Sequence, residues 1–226
     1  MPNFNKLLKK GRDMMDFGNI RYAGDTSKFV EAKDDPNEWI FLNKDKNYFE
    51  DTTLYNKFVK DCERAVRNDP DYKVFIAHVK NIWGINFCQV SSKIYDTDAT
   101  IEMHHGPIFT LFDICSIVLN DFLNKNKKIN TCKIADTVLD EHFDLNVQIV
   151  MLAVTNHEAA HNCDLFLNVK QGIGNINNFI IKYNNSNALD DIHKYKIWNY
   201  INMCKNNPSF DKGYLDVDHI QKIIKL

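Results

Sequence analysis

Arginine is nearly missing from this chain, with Arg12, Arg21, Arg64 and Arg67 its only four among 226 residues. Phosphate contacts near any histidine site must therefore come from lysine. The six cysteines, Cys62, Cys88, Cys115, Cys132, Cys163 and Cys204, never form a C-x-x-C pair. That spacing argues against a thiolate zinc site and against a disulfide framework, and favours buried free thiols. Cys163, two residues past His161, points away from the histidine face of a helix. No apolar run approaches the roughly 20 residues of a membrane span, and the lysine-bearing N-terminus lacks a secretory apolar region. These absences point to a cytoplasmic protein with no membrane partner. A net charge of -2 gives no general pull towards nucleic acid or anionic lipid. No internal repeat occurs, and Gly172-Ile173-Gly174 lacks the strand and helix context of a phosphate-cradling loop.

What the chain does have is histidine in the right company. Four of its eight histidines lie in Ile101-Glu102-Met103-His104-His105-Gly106-Pro107 and Thr155-Asn156-His157-Glu158-Ala159-Ala160-His161-Asn162. His157 and His161, four apart, stack on one face of a helix within reach of one metal ion. His104 and His105 can complete such a site from elsewhere in the fold. Successive strand residues face opposite sides, so the pair can share a site only if the strand ends there, which Gly106-Pro107 allows.

In chain order, Phe4, Leu7, Leu8, Met14, Met15 and Phe17 suggest a loosely amphipathic basic helix, followed by irregular chain with a short strand at Glu38–Leu42. Asp51-Thr52-Thr53 caps a helix through Val66, and Asp69-Pro70 ends it and opens another over about 71–82. His78 on that helix reads as a half-buried histidine rather than a ligand. Residues 85–95 and 99–104 read as a hairpin turning at Asp96-Thr97-Asp98 that delivers the paired histidines. Helices are expected over Thr110–Asn124 and Cys132–Phe143, the second capped by Thr131 and carrying His142 near its end. Gln148–Val154 reads as a buried strand. A helix follows to about Leu167, with further helices near 175–183, 187–204 and 216–225.

Two chemistries compete for His157 to His161. His157-Glu158-Ala159-Ala160-His161 matches the H-E-x-x-H signature of zinc metalloproteases, with Glu158 as base. Against it, Thr155 and Glu158 form a capping box that starts the helix at Thr155 and turns Glu158 back to the backbone. No glycine-and-histidine continuation follows, so a third ligand must be distant, such as Asp190, Asp191 or His193. This reading also leaves His104-His105 without a task.

A strand ending in His-His, a later strand, and a helix opening just before His-x3-His resemble the HNH (ββα-metal, His-Me finger) endonucleases. The form is similar to that of colicin-type DNases and small phage-encoded HNH proteins. The resemblance covers roughly residues 85–167. It implies an α+β fold with a ββα-metal core carrying a helical insertion over about 108–145; the mainly helical region over 1–84 and the helical C-terminal extension over 168–226 lie outside it and are read from the residues alone. It further implies one divalent ion (Zn, Mg, Mn or Ni) on His104, His157 and His161, with His105 as general base. Asn146 would orient that base, with Gln148 as a competing candidate. The expected activity is phosphodiester hydrolysis with DNA as substrate, and a neutral imidazole suits the base role near pH 7. The terminal helices could hold a protein partner. Alternatives are the metalloprotease and a non-catalytic, metal-stabilised interaction module.

Overall fold

The computed structural model describes residues 43–206 and 215–224. The expected N-terminal basic helix and the Glu38–Leu42 strand lie outside the described residues. Among the described residues the architecture is α+β, mostly helical around one two-stranded antiparallel sheet.

A short 3-10 turn at Lys46–Glu50 leads into α1, Thr52–Asn68. Asp51 caps α1 by accepting from the backbone N–H groups of Thr53 and Leu54 at 2.7 and 3.1 Å. Phe58, Val59, Cys62 and Val66 form its buried stripe. Asp69 precedes a proline and is extended, which stops α1 and makes Asp69 the cap of α2, Pro70–Asn81, with Pro70 in the first turn.

Residues 85–95 form no strand but a looped segment with one isolated bridge, Phe87↔Tyr95. The expected hairpin is therefore corrected. β1, Ile101–His105, pairs instead with β2, Ile149–Ala153, in a register that sets His104 opposite Val150 and His105 opposite Ile149. Gln89 does touch the sheet: its N–H donates to the Met151 carbonyl, and its Oε1 accepts from the Met151 N–H.

Between the strands run α3, Leu111–Asn124, and α4, Thr131–Phe143. Thr110 and Asp113 form a reciprocal capping box at the start of α3. Asn130 caps α4 through its side chain, so Thr131 is the first helical residue rather than the cap. Helices α1, α3 and α4 pack on one another, and α2 packs on α1 and α4. All five β2 residues are buried, as their unbroken apolar character requires.

Helix α5, Val154–His161, follows β2 directly and buries none of its eight residues. A helix with no apolar face gains little from packing. Of its residues Ala160 alone packs against the core cluster, and polar ties add to it, among them Asn156 Nδ2 to Cys88 Sγ at 3.1 Å and Val154 N–H to the Thr100 carbonyl at 3.1 Å. It ends at His161, short of the expected Leu167. A 3-10 turn at Val169–Gln171 precedes α6, Ile176–Asn185, then α7, Asp191–Asn206, and α8, Val217–Ile224. One hydrophobic cluster runs from Phe49 to Ile224. Among the described residues no helix is long and apolar enough to cross a membrane.

Candidate metal centre

The alternation of β1 decides which side chains meet. Glu102 and His104 stand on one face, towards α5, while Met103 and His105 stand on the other. On α5, His157 and His161 lie one turn apart. The result is a cluster of His104, His157 and His161 whose ligand nitrogens all lie within 4.8 Å of one another. Ring centroids are separated by 5.1 Å (His104–His157), 4.9 Å (His104–His161) and 4.7 Å (His157–His161).

The donor set fits a small divalent cation. His157 Nδ1 sits 2.5 Å from Glu102 Oε2, so that nitrogen carries the proton and Nε2 keeps its lone pair. Nε2 of His157 lies 3.2 Å from Nε2 of His161, close to the roughly 3.3 Å that tetrahedral bonds of about 2.0–2.1 Å to zinc impose. Burial, then the neighbouring His157 and His161 rings, pulls the His104 pKa down to about 4. Burial and His157 lower that of His161 as well. His104 and His161 are thus neutral at physiological pH, the form a metal requires. Nδ1 of His104 is buried with no hydrogen-bond partner among the described residues. Gly106 leaves room for this ring, because a Cβ there would lie 3.1 Å from His104 Nε2.

The cluster is graded in exposure. His104 is 7% exposed, His157 is intermediate and His161 is exposed. The cluster is thus closed on the β1 side and open on the α5 side, so an ion held there would be reachable by water or a ligand.

Two expected site residues lie elsewhere. His105 remains within β1, so its side chain enters the core, where Nε2 lies 2.8 Å from His142 Nε2 and the ring stacks on Tyr72. His142 Nδ1 donates to the Val138 carbonyl at 2.7 Å, so His142 Nε2 accepts and His105 Nε2 donates. Burial drives both pKa values down, that of His142 to about 4 and that of His105 well below its usual range. The idea that Gly106-Pro107 frees His105 to join His104 is therefore corrected: strand alternation separates them. Asn146 donates to Glu141 Oε2 at 2.8 Å. Glu141 is a buried carboxylate that also binds Tyr183 Oη at 2.7 Å and Lys182 Nζ. Asn146 thus serves the α4–α6 junction. Gln148 is buried too, and donates to the Val169 carbonyl at 2.5 Å.

The capping box at Thr155 is also corrected. Ala153 holds the N-cap position with no side-chain cap, and Thr155 lies inside α5. Glu158 is therefore not turned back to the backbone. It is exposed, and its carboxylate has no hydrogen-bond or ion-pair partner among the described residues. Of the distant ligands considered for the H-E-x-x-H reading, Asp190 and His193 pair with each other, at 2.7 Å. Cys132 and Cys163 are exposed, whereas Cys62, Cys88, Cys115 and Cys204 are buried free thiols.

The sequence alone assigns no site role to Glu102 and places His142 only at a helix end. Glu102 was detectable as the residue two before His104 on a strand. His142 continues the Ile134, Val138 spacing of the buried α4 stripe.

Residues 16–225 match the family described as Bacteriophage G278-like virion protein, and the chain belongs to that family. No curated protein matches the chain, and no solved structure does.

Proposed function

We propose that this virion-family protein is a metal-dependent hydrolase acting on peptide bonds, with His104, His157 and His161 holding one divalent ion. Three imidazole ligands favour zinc, with Ni and Mn as weaker candidates and Mg least suited. Glu158 is the general base. The observation that carries this reading is the convergence of three imidazoles at an open surface, with the Glu158 carboxylate, partnerless among the described residues, beside His157 in the same helix. The ion, when bound, supplies positive charge for the oxyanion that develops as the carbonyl is attacked. Glu158 takes the proton of the attacking water and returns it to the amine nitrogen as the C–N bond breaks, and Glu102 keeps His157 in the tautomer that presents Nε2.

A second reading rests on one specific observation. β1, β2 and α5 follow in the order strand, strand, helix, with one histidine from the first strand and two from the helix. That is the order of a ββα-metal nuclease core with α3 and α4 inserted, and the same three ligands would serve cleavage of DNA. It requires a base other than His105 and an orienting residue other than Asn146, so it ranks second. A non-catalytic, metal-stabilised module ranks third.

The experiment uses the full chain loaded with zinc, offered labelled casein and plasmid DNA, beside Glu158→Gln. The expected result is casein cleavage lost by at least a hundredfold in Glu158→Gln, with zinc content unchanged. Plasmid cleavage that survives Glu158→Gln moves the assignment to the nuclease. Full zinc occupancy with neither activity moves it to the structural module.

A further inference from the structure

The metal cluster shares a wall with a groove. The His104 ring closes one side of a cavity of about 300 Å³. Ile108, Leu165, Phe166, Tyr200 and Met203 are among the side chains that form its apolar surface.

The polar groups in this lining decide what it accepts. Lys196 Nζ binds both oxygens of Asp113, at 2.7 and 2.8 Å, so its charge is already matched by a carboxylate that is itself buried. Tyr200 Oη accepts from the Val169 N–H at 2.8 Å, and its ring stacks on Phe166. Asn199 is exposed, and its side-chain amide has no partner among the described residues. A groove whose lysine is neutralised offers a phosphate backbone little counter-charge. Apolar walls favour a neutral side chain, and a free amide offers one donor and one acceptor of the kind a peptide backbone satisfies.

We propose, resting on the hydrolase reading, that this groove is a specificity site for a large aliphatic or aromatic side chain of a polypeptide substrate. The substrate peptide group beside that side chain lies at the histidine cluster, and Asn199 meets a backbone amide of the same strand.

The test is calorimetry on the zinc-loaded full chain with three hydroxamates: acetohydroxamate, and homologues bearing an isobutyl or a benzyl group. The substituted probes should bind roughly tenfold tighter or more, the scale of burying one such group. Met203 is 41% exposed, so Met203→Lys is expected to fold. It should abolish that gain while leaving acetohydroxamate affinity unchanged. Equal affinity for small and large hydroxamates overturns the groove inference alone, because the ion and its open position are then in place. A gain that survives Met203→Lys also overturns it, and so does displacement of the benzyl probe by a single-stranded oligonucleotide. Zinc uptake without binding of any hydroxamate overturns the hydrolase reading, and the groove falls with it.

Discussion

The Glu102 carboxylate meets Nδ1 of His157 at 2.5 Å, and Nε2 of the same ring stands 3.2 Å from Nε2 of His161. One imidazole is therefore gripped at one nitrogen and presented at the other. The grip comes from a strand and the presentation from a helix, so the orientation of the ring depends on how β1 and α5 are docked.

Removing that grip should weaken the site without unfolding it. Glu102→Ala is expected to lower zinc affinity about 10–100-fold, the usual effect of losing such an outer partner. Glu102→Gln, which keeps an acceptor oxygen, should lose less. The Glu102 side chain is 40% exposed, so the metal-free melting temperature should barely move. Competition with a chromophoric chelator measures the affinity, and unchanged zinc binding in Glu102→Ala would show that the contact does not orient the ring.

The adjacent histidines should separate into a structural and a ligating residue. His105→Ala removes the donor to His142 and opens a cavity beside Tyr72, so it should cost about 2–4 kcal/mol in urea unfolding. Its folded fraction should still take up one equivalent of zinc. His161→Ala, at an exposed position, should leave metal-free stability within about 0.5 kcal/mol and abolish tight zinc binding. Loss of zinc in both variants alike would place His105 at the metal.

Acid should loosen the core through His142. Its imidazole titrates near 6.5 in the unfolded chain and, because of burial, near 4 in the folded one. Between those values the unfolded state binds more protons. The stabilisation is thus complete above about pH 6.5 and is lost as pH falls towards 4. From pH 6.5 to pH 5 the metal-free protein should lose about 1.5 kcal/mol from this residue, because the limiting slope of about 1.4 kcal/mol per pH unit is reached only below pH 6.5. Urea midpoints across that interval, compared with His142→Leu, test the slope. The buried His104 and His105 keep some slope in the variant, so a wild-type slope no steeper than the variant's would exclude His142 as a source.

Much of the helical frame is written locally. Asp51, Asp69-Pro70 and Thr110 with Asp113 each mark a helix boundary by short-range hydrogen bonding or by the fixed φ of proline, and the structure places helix ends there. The unbroken Ile149–Ala153 run marks a buried strand in the same way. Strand pairing is different, because the partner of β1 is chosen by packing across α3 and α4, which no neighbouring residue encodes. At α5 the Thr155-x-x-Glu158 spacing suits a capping box, yet the helix starts at Val154, where the Val154 N–H bonds the Thr100 carbonyl. The histidine cluster was legible from His-x3-His and a second histidine source. The division between His104 and His105 turned on whether β1 runs one residue further, a boundary that sequence patterns place poorly.

Helix α5 buries none of its side chains, and two of the three imidazoles belong to it while the third belongs to β1. An ion held by all three would act as a latch between the ends of a long excursion through α3, α4 and β2. The two strands must meet before the latch can close, so ion uptake would mark the completion of folding rather than its beginning. Stripping the ion would release α5 first and leave the packed α1, α3 and α4 helices intact, so the protein would lose its site long before it lost its shape.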